Sequence, residues 1–275
     1  MFVWSKEDAI VLPITLLLML AITILLWLTL RNKEEKYRQI PLAVITITML
    51  VLEVIKQIYY AVSGQYTTWI IPLHFCSLFL YFFPLAVFAK GKTKQFGKVM
   101  SVVTTFWLLI SFYFSPGTII GVDTTKNIFA NFHSFHSFIY HHLALLFLFV
   151  SVALKYYKIT YKDFAYVAIG ITIYGTIAVP VAHLTNTNWC NLIKSNITML
   201  ENFRLQFGDI PYTFLLYLGG IAGGIVGCLA YIGFEKLTKL KGGQSIEIQQ
   251  VKSQEDKLEN QTNVQEDELE KQIQN

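Results

Sequence analysis

Seven stretches of the chain consist almost entirely of apolar residues, and polar segments separate them. Each holds roughly 20 mostly apolar positions, which is the length that an α-helix needs to cross about 30 Å of hydrocarbon. The stretches are residues 10–30, 40–62, 68–89, 99–114, 134–154, 164–185 and 211–234. This pattern predicts an all-α, polytopic membrane protein with seven transmembrane helices, of which the fourth is the shortest.

Basic residues between these stretches predict how the chain is oriented in the membrane. Clusters of lysine and arginine follow the first, third, fifth and seventh stretches: Arg31, Lys33, Lys36, Arg38, Lys90, Lys92, Lys94, Lys98, Lys155, Lys158, Lys162, Lys236, Lys239 and Lys241. The opposite side has only Lys6, Lys126, Lys194 and Arg204. Because loops rich in these residues stay in the cytoplasm, we expect an outside N-terminus, a cytoplasmic C-terminus and a multi-pass location in the cell membrane.

Composition divides the chain into a transmembrane domain, residues 1–241, and a polar tail, residues 242–275. Charged residues make up 15% of the 275 positions, whereas about a quarter of a soluble domain is charged. The tail has eight acidic and three basic residues, so 19 basic and 10 acidic residues remain in the domain. The low charge excludes a soluble globular enzyme. The excess of positive charge is a topology signal, and we expect no nucleic-acid partner.

The tail itself is rich in glutamine and glutamate and contains only seven aliphatic residues. This composition is typical of disordered segments, and the aliphatic residues are too sparse for a sustained heptad repeat. We therefore expect an acidic, disordered cytoplasmic tail, which is a candidate binding segment for a protein partner.

Glycines in the seventh stretch recur every four residues, at Gly219, Gly223 and Gly227. This spacing places them on one side of a helix. Small residues at such positions let a neighbouring transmembrane helix approach closely. The motif predicts tight helix packing and no chemistry of its own.

A few ionisable or nucleophilic side chains lie within the apolar stretches, where burial of charge is costly and such residues mark function. Counted along each predicted helix at 1.5 Å per residue, they all fall in the outer half. They are Glu53, Lys56, His74, Cys76, His136, His141, His142 and His183. Their shared depth predicts one polar cavity that opens towards the outer leaflet.

Simpler interpretations of the same residues exist. Glu53 and Lys56 are three positions apart on one helix face and could pair only to lower the cost of burial. A cysteine such as Cys76 is also a common small apolar residue in protein cores. His133 and His136 share a helix face, but without an obvious carboxylate or thiolate at matching depth we expect no metal ion and no other cofactor.

A transporter or channel with a polar pathway lined by Glu53, Lys56 and the histidines is the alternative to an enzyme.

The combination of Cys76 with a histidine indicates nucleophilic catalysis. A thiolate is the nucleophile, and a neighbouring imidazole can take the proton of the thiol. Cys76 and His141 lie at similar predicted depths, roughly 10–12 Å below the outer surface at 1.5 Å per residue. Glu53 could orient the imidazole, as a carboxylate does in a catalytic triad.

Four segments resemble those of a known family. Residues 71–78 (IPLHFCSL) are similar to the Pro-Leu-His-x-Cys signature of the YwaF-like membrane proteins, which are related to vertebrate transmembrane protein 164. Residues 138–142 (FIYHH) resemble an aromatic segment that precedes the family's histidine, with histidine instead of glycine at the last position. Residues 186–189 (NTNW) and 208–212 (GDIPY) resemble two later segments. The resemblance covers about residues 45–234 and leaves out the tail.

This resemblance implies seven spans and the activity of a lipid acyltransferase or transacylase. The vertebrate relative is regarded as such an enzyme, and the fold resembles that of membrane hydrolases of fatty-acid esters. By this resemblance Cys76 is the acyl-accepting nucleophile and His141 is the general base, with His142 as a possible substitute. His74 belongs to the motif, and Asn188 is expected to bind a headgroup or an oxyanion. The expected partners are membrane phospholipids or lysolipids; the acyl donor, the acceptor and a hydrolytic outcome stay open.

Overall fold

The computed structural model describes residues 4–237, so the expected acidic tail lies outside the described residues. Every regular element within this range is helical. The α-helices are α1 Lys6–Leu30, α2 Glu35–Val62, α3 Phe79–Phe88, α4 Gly91–Phe114, α5 Pro116–Ile119, α6 Phe132–Ala153, α7 Phe164–Thr185, α8 Thr198–Phe207 and α9 Asp209–Leu237. Short 3₁₀ helices lie at Thr68–Ile70, Phe75–Leu78, Tyr161–Asp163 and Trp189–Asn191. The all-α prediction is confirmed for this part of the chain.

Six helices in the described range are long and apolar enough to cross a membrane. They are Lys6–Leu30, Glu35–Val62, Gly91–Phe114, Phe132–Ala153, Tyr161–Thr185 and Asp209–Leu237. Most of α1 is exposed, with large apolar side chains such as Ile14, Leu17 and Leu25 on its surface. In a protein that spans a bilayer, lipid covers such surfaces, so their exposure fits a membrane protein.

The third apolar stretch, residues 68–89, differs from its predicted form of a continuous helix. Only its second half is an α-helix, α3, and the segment 68–78 before it consists of two short 3₁₀ helices joined by irregular backbone. Pro72 explains the break, because it has no amide hydrogen and disfavours a helical conformation at Ile71, whose ψ is 130°. The irregular segment contains the Pro-Leu-His-x-Cys motif.

The helices α3, α4 and α6 form the most buried part of the molecule. Phe83 of α3 stacks on Phe147 of α6 with their ring centroids 3.8 Å apart. At Gly97 the backbone of α4 lies directly against that of α3, since a Cβ atom at this position would overlap Leu85 and Ala86. These contacts form a rigid apolar base below the segment that carries Cys76.

The glycines of α9 form two rows of contact. Gly223 and Gly227 face the aromatic rings of Trp107 and Phe106 on α4, as the spacing predicts, whereas a Cβ atom at Gly219 would meet only open space. A second row, which the sequence analysis missed, contacts α7, and it consists of Gly220 against Ile171 and Gly224 against Val167.

The helix α8, between α7 and α9, is held by an ion-pair cluster. Arg204 donates hydrogen bonds to Glu201 at 2.6 and 3.0 Å and to Asp209 at 2.8 Å. The amide of Ser195 also donates to Glu201 at 2.8 Å. These contacts, with the Arg204 hydrogen bonds first, lower the pKa of Glu201 to about 2.

Because the pKa of Glu201 is lower in the folded state than its unfolded value of about 4.3, its stabilising contribution is complete above that value and disappears as the pH falls towards 2. We expect wild-type protein to melt at a higher temperature than the Glu201→Gln variant at pH 7, and the gap to close on acidification to pH 2. Thermal melts of both proteins across this range measure the gap. A gap that is independent of pH would contradict the assignment.

Candidate functional site

A cavity of about 390 Å³ brings together most of the polar residues that lie within the apolar stretches. Its walls come from α2, α6, the irregular segment 68–78, the end of α5 with the two residues after it, and Cys190. The ionisable side chains in its lining are Glu53, Lys56, His74, Cys76, His133, His136, Tyr140, His141 and Cys190. Of the eight side chains predicted to share one cavity, six therefore line it, whereas His142 and His183 do not. Asn188 also lies outside the lining.

Three tyrosines hold the irregular segment that carries Cys76. The hydroxyl of Tyr140 donates to the backbone carbonyl of Cys76 at 3.3 Å. Tyr174 donates to the carbonyl of Leu73 at 2.8 Å, and Tyr81 donates to that of Pro72 at 3.0 Å. Each bond satisfies a carbonyl that a continuous helix would have paired internally. The thiol of Cys76 is free and half-buried at the cavity wall.

His141 is held in the ring tautomer that a general base needs. Its Nδ1 atom lies 2.6 Å from the carbonyl oxygen of Ser137. Since a carbonyl can only accept, Nδ1 carries the proton and Nε2 of the neutral ring has a free lone pair. Within residues 4–237 this buried Nε2 atom has no hydrogen-bond partner. The Ser137 carbonyl, and not Glu53, thus orients the imidazole, and Nε2 and the Cys76 thiol are not hydrogen-bonded to each other.

His142 is occupied on both sides of its ring. Its Nδ1 atom donates to the carbonyl of Phe138 at 2.7 Å, and Nε2 pairs with the hydroxyl of Thr15 on α1 at 2.9 Å. The ring also packs edge-on against Phe112. His142 therefore links α6 to α1 and α4, and it lies outside the cavity lining.

Glu53 and Lys56 form a mostly buried ion pair, with 2.8 Å between Nζ and Oε1. Gln57 donates to the same carboxylate at 2.6 Å and to the carbonyl of Ile70 at 3.0 Å, which connects the pair to the segment 68–78. Nε2 of His136 lies 3.9 Å from the other oxygen of Glu53 and, like that of His141, has no hydrogen-bond partner in the described range. The cavity lining thus includes two imidazoles whose buried Nε2 atoms have no hydrogen-bond partner in the described range.

Two predicted site residues have local structural contacts. Nε2 of His74 lies 3.2 Å from the carbonyl of Trp69, and its ring contacts the indole of Trp69 edge-on. Asn188 bonds to the backbone of Ile193 and Lys194 through its side-chain oxygen and nitrogen. Asn188 therefore shapes the loop after α7, and a bound headgroup or oxyanion would have to displace these bonds.

Tyr140 and Cys190 belong to the cavity although the sequence analysis assigned them no role. The sulfur of Cys190 accepts hydrogen bonds from the amide of Phe75 at 2.9 Å and from the hydroxyl of Tyr174 at 3.1 Å. Cys190 has a left-handed backbone, with φ of 51°, which is costly for a residue with a side chain. Only Tyr140 had a signal in the sequence, since it adjoins His141 in the aromatic segment.

The described residues contain no group of three or more histidine, cysteine, aspartate or glutamate side chains arranged to hold a metal ion. The cavity lining offers thiols, imidazoles and the Glu53–Lys56 pair. These groups can transfer protons and attack an electrophilic carbonyl carbon.

Comparison with known proteins identifies a family. The model of the TMEM164 family matches residues 1–229, which include all residues of the cavity lining. No curated protein and no solved structure matches the chain. The match confirms the relationship to transmembrane protein 164 that the segment around Cys76 indicates. The chain is therefore a multi-pass membrane protein of the TMEM164 family.

Proposed function

We propose that this protein is a lipid acyltransferase or transacylase of the cell membrane, with Cys76 as its nucleophile and His141 as its general base. One observation carries the proposal. A free thiol and a buried imidazole nitrogen with an available lone pair line the same cavity. That is the minimum set of groups for thioester chemistry. The match to the TMEM164 family covers the whole cavity lining, and the resemblance of the Cys76 segment to this family implies the same activity.

The reaction has two steps. In the first, Nε2 of His141 takes the proton of Cys76, the sulfur attacks the ester carbonyl of a donor phospholipid, and the lysolipid leaves with the proton that His141 returns. In the second, the hydroxyl of an acceptor lysolipid gives its proton to His141 and attacks the thioester, and the Cys76 sulfur leaves and is reprotonated. No metal ion and no acyl-coenzyme is needed. Reaction with water in the second step gives a fatty acid instead.

The proposed reaction requires one movement. The Cys76 thiol and Nε2 of His141 are not hydrogen-bonded to each other. Catalytic hydrogen bonds are often long in unliganded enzymes and shorten in the substrate complex. The irregular backbone of residues 68–78 is the element whose adjustment would bring the thiol to the imidazole, since side-chain contacts, and not a continuous helical ladder, connect it to its neighbours.

The proposed topology places the reaction at the outer leaflet. Seven crossings, with the Pro72-interrupted stretch as the third, put the N-terminus outside and the tail in the cytoplasm. This arrangement is supported by the alternating lysine and arginine clusters. Donor and acceptor are then phospholipids and lysolipids whose ester carbonyls lie at the boundary between headgroups and hydrocarbon. The acidic tail, residues 242–275, is free on the other side to recruit a protein partner.

The test is to trap the thioester. We expect purified protein in vesicles that contain a phospholipid with a radiolabelled acyl chain to acquire label that neutral hydroxylamine removes, with the label on the Cys76 peptide in mass spectra. Adding lysolipid should discharge the label into new phospholipid. A Cys228→Ala variant, which changes a buried cysteine of α9 outside the cavity lining, is the matched control. Label that is absent, or equally present on Cys190 and Cys228, would overturn the proposal.

A further inference from the structure

A second, apolar pocket adjoins the polar cavity. It has a volume of about 190 Å³ and lies between α7 and α9, with Ile171, Gly175 and Gly220 in its lining. Phe75 and Cys190 line both this pocket and the polar cavity. The two spaces are therefore neighbours, divided by the side chains next to Cys76.

A wider groove continues this pocket along α7 and α9. It has a volume of about 510 Å³, and Tyr217 belongs to its lining and to that of the apolar pocket. Its lining is mostly apolar, and its ionisable side chains besides Tyr217 are His183 and Asp209. Phe214 and Leu218, on the same groove, are exposed. In a membrane such a surface faces lipid, so the groove offers an acyl chain a way into the protein from the bilayer.

Two glycines, Gly175 and Gly220, let α7 and α9 pack closely around the apolar pocket. The ring of Tyr217 on α9 lies directly on Gly175 of α7, where any side chain would overlap it. A Cβ atom at Gly220 would lie 3.2 Å from Ile171 and thus inside the pocket wall. A larger residue at Gly220 would narrow the pocket, whereas one at Gly175 would displace the Tyr217 ring.

We propose that this pocket is the acyl-chain site of the protein, and that Gly220 and Ile171 set the length of chain that it accepts. The inference rests on the proposed function, because the chain it assigns is the one whose ester carbonyl Cys76 attacks. The carbonyl lies in the polar cavity, and the chain passes Phe75 and Cys190 into the apolar pocket. The hydrogen bonds from Phe75 and Tyr174 to the Cys190 sulfur fix the position of the residues that the chain would pass.

The geometry favours a chain over other occupants. The pocket has hardly any polar surface beyond the sulfur of Cys190 and the Tyr174 and Tyr217 hydroxyls, so a headgroup would lose its hydrogen bonds there. The groove is likewise mostly apolar, with His183 and Asp209 as candidate contacts for a headgroup. An extended hydrocarbon chain of a phospholipid fits both properties.

The decisive experiment compares chain-length selectivity. Vesicles contain equal amounts of phospholipids with short and long saturated acyl chains, and the transferred chains are identified by mass spectrometry. We expect Gly220→Leu to lower the ratio of long to short transferred chains by about tenfold or more, since filling a pocket by a few methylenes has an effect of this size. Ile171→Ala, which enlarges the pocket, should raise the ratio. Gly219→Leu, whose side chain would project into open space on the same helix, should leave it unchanged.

A binding measurement separates this inference from the proposed function. Wild-type protein is irradiated with a phospholipid that has a diazirine at the end of one acyl chain. Crosslinks on the α7 and α9 residues of the pocket support the acyl-chain site even if no acyl transfer is detected, a result that would overturn the proposed function alone. Crosslinks confined to other lipid-facing surfaces, or a Gly220→Leu enzyme with wild-type chain selectivity, would overturn the inference while leaving the proposed function in place.

Discussion

Replacing His141 with alanine is expected to lower the rate of acyl transfer by about 10²–10⁴-fold, whereas replacing its neighbour His142 should change it by less than about tenfold. The reason is the difference in their hydrogen bonds. Nε2 of His141 has no partner in the described structure and faces the same cavity as Cys76. Both ring nitrogens of His142 are occupied, one by Thr15 and one by the Phe138 carbonyl.

The measurement is a steady-state transfer assay in vesicles with matched amounts of wild-type, His141→Ala and His142→Ala protein. His142→Ala is also expected to lower the melting temperature, because it removes a buried contact between α1 and α6. A His141→Gln variant controls for volume. If His142→Ala were inactive at wild-type stability while His141→Ala kept its rate, His142 and not His141 would be the general base.

His141 and His142 show which features of the site the sequence predicts and which it does not. The aromatic segment predicts that a histidine near position 141 matters, yet adjacent histidines on a helix point about 100° apart, and only the tertiary neighbours decide their roles. Thr15 lies 127 residues before His142, and no local pattern specifies such a contact. The tautomer of His141 likewise depends on the position of the Ser137 carbonyl.

The helices themselves were predictable because membrane crossing imposes a length and a composition on them. Six of the seven predicted stretches correspond to long apolar helices, with ends that differ by up to eight residues. The exception is the third stretch. Its hydropathy is that of a membrane span, but hydropathy does not show that Pro72 interrupts the helix. Its backbone leaves the helix because proline removes a hydrogen-bond donor, and that departure exposes the Cys76 segment to the cavity.

Residues such as Cys190 were beyond the reach of sequence patterns for another reason. Its place in the cavity depends on a left-handed backbone and on hydrogen bonds from Phe75 and Tyr174, which lie in two distant elements. In contrast, Glu53 and Lys56 were visible at once, since charge is rare in the apolar stretches. In both the catalytic and the simpler interpretation, breaking this pair lowers the stability of the folded protein.

Removing one partner of the Glu53–Lys56 pair is expected to destabilise the protein by about 3–5 kcal/mol, because it leaves the other charge buried without a counter-ion. The two side chains are only 10% and 15% exposed, and their charged atoms are 2.8 Å apart. We expect this loss for Glu53→Gln and for Lys56→Met alike. The exposed pair of Glu34 and Lys36 has nearly the same separation, 3.0 Å, with side chains 72% and 64% exposed, so Lys36→Met should cost at most about 1 kcal/mol.

A double-mutant cycle separates the pair from its surroundings. Unfolding free energies in detergent micelles are compared for wild type, both single variants and the Glu53→Gln/Lys56→Met double variant. If the pair is mainly a means of lowering the cost of burial, the double variant recovers much of the loss, since no unpaired charge remains. Additive losses would show instead that each side chain is stabilised separately, Glu53 by Gln57 and Lys56 by the cavity. A double variant that is stable yet inactive would give the pair a part in substrate binding, because stability alone could not then explain its presence at membrane depth.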